Sequence, residues 1–207
     1  MKIILSSWDV NTALPKVAKG LQQYLDLQRM AAHLPNFHDD PDFRRRYNHF
    51  YRVRRGVAWQ QAYFQLMGHA HQQGLPFDTI LNDLYTATGR LEASFASKLL
   101  ATVRPTEPVI DSVVLANLGV RLPYPGAQGR FGKVCVLHKD LGHAFGDFLK
   151  TQQGRYLVSA FTQMYPLANV TEEKMLDLVL WQTRQTSPGV SAQPTGANTS
   201  VMPVCGD

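Results

Sequence analysis

The chain has few cysteines and no long apolar run. Cys135 and Cys205 are its only cysteines among 207 residues, so a disulfide framework is not expected and a reducing compartment suits the composition. No apolar stretch approaches the roughly 20 residues that cross a bilayer. The apolar segment at residues 3–5 is too short for the core of a secretory signal. The sequence therefore predicts a cytoplasmic protein without a membrane span.

Motifs for common cofactors and metals are also missing. The sequence contains no Walker loop, no G-x-S-x-G nucleophile elbow and no dinucleotide-binding glycine fingerprint. The close histidine pairs, His69/His71 and His138/His143, lack the i, i+4 spacing with an accompanying acid that marks a helical zinc site. We therefore expect neither a bound metal nor a cofactor.

Acidic residues are the minority among the charged side chains. The chain has 21 Lys and Arg against 16 Asp and Glu, which gives a formal net charge of +5. An excess of positive charge favours a polyanionic partner such as nucleic acid. The 44% hydrophobic content is that of an ordinary globular protein, and the length allows one large or two small domains.

Helical periodicity dominates the sequence. Apolar residues recur three or four apart in segments 14–33, 40–55, 57–73, 77–87, 92–103, 111–118, 132–151, 154–164 and 171–184. Strand candidates are few, so we predict an all-α fold in one compact multi-helix domain over residues 1–185. The proline- and glycine-rich stretch at 122–130 would separate two helical layers or border a cleft. Residues 186–207, rich in Ser, Thr, Pro and Gly, are predicted to form a disordered tail.

Residues 86–120 contain the clearest series of helix-ending and helix-starting signals in the chain. Gly89 ends one helical pattern, and a second helix is predicted over residues 92–103. A proline-containing connector then leads to Asp111, which opens a third helix that stops at Gly119. This order resembles the core of the helix-hairpin-helix DNA glycosylase superfamily, including its endonuclease III-like members. In that family the hairpin turn is glycine-rich, and the catalytic aspartate opens the helix after a proline-containing loop.

The resemblance implies roles for the aspartate and the hairpin. Asp111 would stabilise the cationic sugar that develops as a base departs, and the start of a helix favours a negative charge at that position. The other interpretation is a plain helix cap. Gly89, Arg90 and Ser94 would bind DNA phosphates at the hairpin. The alternative for these three residues is an ordinary turn between helices.

Lysine is missing just after the turn, where lyase-competent members of the family carry their nucleophile. Lys98, 13 residues before Asp111, is the nearest candidate amine for a Schiff base, but it lies about two turns further along the predicted helix. A solvated surface lysine is the alternative. We therefore predict a monofunctional enzyme that uses water. Two cysteines cannot ligate the four-cysteine iron–sulfur cluster that some members carry.

Six arginines lie between residues 44 and 55. On one continuous helix, four of them would share an arc of roughly 100° beside an aromatic face: Arg44, Arg45, Arg52 and Arg55. Such a helix would bind DNA phosphates while anchored on the core. Alternatively, the arginines pair with the preceding Asp39, Asp40 and Asp42 and cover apolar surface with their stems, or they contact another protein.

Three functions are open at this point. The leading one is a DNA-binding protein that resembles base-excision glycosylases and hydrolyses the N-glycosidic bond of a damaged or modified base flipped out of the stack. Tyr124, Phe131 or Trp59 would hold that base. The second is a non-catalytic DNA-binding protein of the same fold. The third is an all-α protein-interaction module in which the arginines are structural.

Overall fold

The computed structural model describes residues 1–34 and 36–183. Over these ranges the secondary structure is nine α-helices without a strand, which confirms the all-α prediction. The helices are α1 (Ser7–Ala31), α2 (Pro41–Tyr51), α3 (Val57–Gln73), α4 (Phe77–Thr88), α5 (Ala93–Val103), α6 (Ser112–Asn117), α7 (Arg130–Leu149), α8 (Gln152–Met164) and α9 (Glu172–Gln182). None of these helices has the length and apolar character that crossing a bilayer requires. The predicted tail at 186–207 lies outside the described residues.

The start of α1 was predicted too late. The helix begins at Ser7 because Ser6 and Asp9 form a reciprocal capping box, in which each side chain bonds the other's backbone N–H. Pro15 lies inside the helix and interrupts the periodic pattern, which explains a predicted start near residue 14. The earlier start places Trp8 on α1.

The end of α2 was predicted too late, and this error affects the arginine cluster. The helix ends at Tyr51, and Arg52 takes the left-handed conformation with φ 54° and ψ 44°. The chain then runs without helix to Gly56, the N-cap of α3. A continuous helix through residue 55 was therefore wrong, and the single arc of four arginines does not form.

The core lies around α1, which packs against α2, α5, α8 and α9. Helices α3, α4 and α5 pack on one another, while α7, α8 and α9 form a second mutually packed group. Between α2 and α3, the buried Tyr47 hydroxyl bonds that of Tyr63 at 2.7 Å, and Tyr63 donates to the Phe95 carbonyl at 2.8 Å. Each of these two buried hydroxyls therefore has a partner, as buried polar groups require.

The loop that leads to Asp111 is fixed from two sides. Ser97 of α5 is fully buried, and its Oγ accepts a hydrogen bond from the Ile110 N–H at 2.9 Å. Thr171, the N-cap residue of α9, donates to the Pro105 carbonyl at 3.0 Å. Because both bonds hold the loop between α5 and α9, they determine where α6 begins. Residues 118–129 then connect α6 to α7, and the division into two layers at this loop stays a prediction.

Candidate functional site

Asp111 is the N-cap residue of α6 and also lines an open cavity. Its carboxylate accepts a hydrogen bond from the Val113 N–H at 2.8 Å, so the predicted position at the helix start is confirmed. The cavity has a volume of about 640 Å³, which is in the range of small-molecule sites. Its polar lining comes from Ser94, Lys98, Asp111, Ser112 and Arg121.

Lys98 lines the same cavity as Asp111. Its amine donates to the Tyr51 carbonyl at 3.4 Å and lies 5.4 Å from the centre of the Phe95 ring. Burial lowers the pKa of Lys98, against the opposing effect of the carboxylates of Asp111 and Asp177. Lys98 is therefore a half-buried amine beside a carboxylate rather than a freely solvated surface lysine.

A small void continues from this cavity toward α9. It has a volume of about 20 Å³ and is lined by Lys98 and Asp111 on one side and by Phe50, Tyr51 and Trp181 on another. A space of this size holds about one water molecule and excludes a nucleobase. The larger cavity is therefore the one that could receive a base.

The turn between α4 and α5, which was predicted to be the hairpin, lies beside a second open cavity. Gly89 ends α4 with φ +68°, a conformation that glycine adopts without strain. Gly89 and Arg90 line this cavity of about 730 Å³ together with Arg130 and Phe131. Ser94, which was predicted to share a phosphate site with them, lines the Asp111 cavity instead. The hairpin residues are thus divided between two cavities.

The arginines between residues 44 and 55 have different environments. Arg45 pairs with Asp42, and Arg55 forms a two-oxygen ion pair with Glu92, the shorter N–O distance being 2.9 Å. Arg45 thus follows the predicted pairing with the preceding aspartates, whereas the acidic partner of Arg55 was not among those predicted. Nε of Arg44 is buried and has no hydrogen-bond partner within the described part of the chain. Arg52 is exposed, and its guanidinium lies 5.9 Å from the centre of the Trp181 ring.

A groove with an unbalanced positive charge was not predicted from the sequence. Lys16 and Lys19 of α1 line this groove of about 690 Å³ together with Arg52, Arg54 and Trp181. All four basic residues are exposed, and over residues 1–34 and 36–183 none of them belongs to an ion pair. The i, i+3 spacing of the two lysines was the available sequence signal, but nothing local indicates that they face the arginines.

The three aromatic residues predicted to hold a base lie away from the Asp111 cavity. Trp59 stacks on Tyr63 with ring centroids 4.8 Å apart. Phe131 lines the hairpin cavity, and Tyr124 is 69% exposed on the loop between α6 and α7. Apolar side chains of α6 and the following loop, such as Leu115 and Leu122, line the Asp111 cavity instead.

Comparisons with known proteins identify no relative of this chain. No protein-family model, no curated protein and no solved structure matches it. In the described ranges, no group of three or more His, Cys, Asp or Glu side chains is arranged to hold a metal ion. The arrangement of Asp111, Lys98 and the hairpin is therefore the observation that bears on function.

Proposed function

We propose that this chain is a DNA-binding protein of the helix-hairpin-helix glycosylase type, with its reactive centre in the Asp111 cavity. The observation that supports the proposal is that Lys98 of α5 and Asp111 at the start of α6 line one open cavity, two helices along the chain from the turn at Gly89. A carboxylate at a helix start has the ordinary role of a cap. An adjacent half-buried amine in a base-sized cavity is not needed for capping.

The hairpin would hold the DNA backbone in this proposal. Glu92, the N-cap residue of α5, makes no capping hydrogen bond because its carboxylate binds Arg55. The N–H groups of the first turn of α5 are thus available to phosphate oxygens, which bind well at helix N-termini. Arg90 and Arg130 line the adjoining cavity and would add two positive charges. Arg55 would serve mainly to neutralise Glu92.

The chemistry would be hydrolysis of an N-glycosidic bond. As the bond between C1′ and the base nitrogen breaks, its electron pair leaves with the base and positive charge develops on the sugar. The Asp111 carboxylate would stabilise that charge and orient a water molecule, whose oxygen bonds to C1′ and whose proton is released. The base must leave the duplex stack to reach this cavity.

Lys98 supports a second form of the same activity. A neutral amine is a nucleophile, and burial favours the neutral form of this side chain. Attack of its nitrogen on C1′ would expel the base with the electron pair of the broken bond; one proton of the attached nitrogen would then pass to the ring oxygen as the bond between C1′ and that oxygen breaks, which gives a protonated Schiff base. This pathway differs from the monofunctional prediction in leaving a covalent intermediate on the protein.

The decisive experiment uses duplex oligonucleotides that each carry one damaged or modified base. After incubation with the protein, alkali cleaves any abasic site. We expect cleavage of at least one such duplex, and a loss of about 100-fold or more in rate with Asp111→Asn, while DNA affinity stays within about twofold because the carboxylate contributes to the chemistry rather than to phosphate binding.

Borohydride and binding controls separate the alternatives. A covalent adduct that is trapped by borohydride with the unaltered chain and lost with Lys98→Gln indicates the Schiff-base pathway, whereas cleavage without an adduct indicates water. DNA binding without cleavage of any duplex would leave the non-catalytic DNA-binding protein. Absence of DNA binding would exclude both DNA-binding functions and favour the protein-interaction module.

A further inference from the structure

The basic groove of Lys16, Lys19, Arg52 and Arg54 continues at both of its ends. Toward the start of α1, Lys16 and Gln182 also line a neighbouring cavity of about 470 Å³. Trp8 lines that cavity, and 69% of its surface is exposed. The groove, the neighbouring cavity and their shared residues therefore form one surface between α1, the end of α2 and α9.

At the other end a void of about 20 Å³ lies between the groove and the Asp111 cavity. Phe50 and Trp181 line both the groove and the small void. Lys98 and Asp111 line both the void and the Asp111 cavity. An exposed indole, a set of basic side chains and a second indole thus follow one another along this surface, and the Asp111 cavity lies beyond the void.

Positive charge dominates this surface. Four basic residues line the groove, and the acidic residue among the lining residues of the groove and neighbouring cavity is Asp9. Its carboxylate already accepts hydrogen bonds from the backbone N–H and the hydroxyl of Ser6. The four basic side chains, which have no ion-pair partner among the described residues, are therefore available to an anionic ligand.

The basic side chains lie between two indole rings, and this arrangement indicates which kind of anionic ligand the surface fits. Duplex DNA presents phosphates but keeps its base faces stacked, so it would leave Trp8 and Trp181 unused. A single strand offers phosphates to lysine and arginine and base faces to indole rings, and such stacking is largely independent of base sequence. We propose that Trp8, Lys16, Lys19, Arg54 and Trp181 bind a single-stranded DNA segment that lies along this surface. This inference rests on the proposed function in taking DNA as the partner.

The test measures affinity by fluorescence anisotropy of labelled DNA with the full chain. The ligands are a single strand of about 20 nucleotides, the blunt duplex and the duplex with a single-stranded extension. The first variant is Lys16→Gln/Lys19→Gln/Arg54→Gln. Its control, Lys139→Gln/Lys150→Gln/Arg155→Gln, removes the same number of charges from exposed positions on and between α7 and α8 that line none of the cavities described above.

We expect the groove variant to bind the single strand about tenfold or more weakly, and the control to stay within about twofold. Because each phosphate contact on a single strand contributes about 0.7 to the slope of log affinity against log salt, losing three contacts lowers that slope by about 2. Trp8→Ala removes one stacking surface and is expected to weaken single-strand binding by about tenfold. Leu167→Ala, at another highly exposed apolar side chain, leaves affinity unchanged.

Equal losses in the groove variant and its control overturn the inference, as does tighter binding of RNA of the same sequence. Single-strand binding that the groove variant leaves intact overturns the groove, and duplex binding that Arg90→Gln/Arg130→Gln abolishes at the same time supports the hairpin of the proposed function. Single-strand binding that depends on the groove, with no effect of the hairpin variant and no cleavage activity, supports the groove and overturns the proposed function. Absence of binding to every DNA overturns both.

Discussion

At the scale of single residues, His138 shows how burial controls ionisation in this fold. Its ring stacks on Phe77, with centroids 3.9 Å apart and planes at 4°. Its Nε2 is 3.9 Å from the Glu107 carboxylate, which is too long for a hydrogen bond. Burial lowers the pKa of His138 to about 4. The imidazole is therefore neutral in the folded chain at neutral pH.

This burial predicts a pH dependence of stability. Since the folded pKa of about 4 is below the ordinary value of 6.5, protonation favours the unfolded chain. The contribution of His138 is complete above pH 6.5 and is lost as pH falls toward 4, by roughly 3 kcal/mol. Urea unfolding from pH 7.5 to 4 should show this loss and a shallower pH profile for His138→Phe, whose ring has no proton to bind.

The exposed His143 of the same helix provides the matched control. His143→Phe makes the same substitution at an exposed position, and a profile flattened as much as that of His138→Phe would assign the effect to the substitution rather than to burial. Indistinguishable profiles for the unaltered chain and His138→Phe would contradict the assigned cause.

At the scale of elements, the end of α7 and the start of α8 approach each other so closely that position 154 has no room for a side chain. Only Lys150 and Thr151 separate the two helices, and Gly154 lies in the first turn of α8. A Cβ atom built on Gly154 would lie 2.2 Å from the Phe148 carbonyl oxygen and 2.6 Å from Cα of Leu149. Since both atoms belong to the backbone, rotation of a side chain cannot relieve the overlap.

Gly154→Ala should therefore destabilise the chain by about 3 kcal/mol, in the range of overpacked sites. Gly146→Ala tests the same substitution inside α7, where a new Cβ meets nothing within 4 Å. It should increase stability by about 0.5–1 kcal/mol, the ordinary gain of alanine over glycine in a helix. Urea unfolding measures both values. Equal effects of the two substitutions would show that the close approach of α7 and α8 is not present in solution.

At the scale of the whole molecule, a buried ion pair lies where α9 packs on α1. Lys174 is 2% exposed, and its amine bonds Asp177 at 2.8 Å and lies 4.8 Å from the centre of the Tyr24 ring of α1. Burial lowers the pKa of Lys174, but the charge and hydrogen bond of Asp177, together with Tyr51 and Tyr24, outweigh burial and raise the pKa. The ammonium group therefore stays charged inside the core.

Replacing Asp177 and replacing Lys174 should lower the free energy of unfolding by different amounts. Asp177→Asn leaves the buried ammonium without its counter-charge and should destabilise the fold by about 3–5 kcal/mol. Lys174→Met removes the buried charge itself and replaces it by an apolar chain of similar length, so it should cost less. Urea unfolding of both variants and of the double variant measures the coupling. A Lys174→Met variant that is less stable than Asp177→Asn would contradict this account.

Local sequence signals determined the class of fold and the position of Asp111. Helices form where apolar residues recur every three or four positions, and the connector with Pro105 and Pro108 ends at a capping aspartate, so each signal acts within a few residues of the structure it specifies. The two helix boundaries that were misplaced by more than two residues have local causes as well. Pro15 concealed the start of α1, and the left-handed backbone at Arg52 has no distinctive residue type.

Only the tertiary structure decided which charged groups are available. Arg55 finds Glu92 thirty-seven positions along the chain, whereas Lys16 meets Arg54 across a groove because α1 packs against α2 and α9. Lys98 likewise reaches the Asp111 cavity through the packing of α5 beside the loop that Ser97 holds. Periodicity specifies the face on which a side chain lies, but its partner depends on how distant helices bury their apolar faces together, and that contact is formed only in the folded chain.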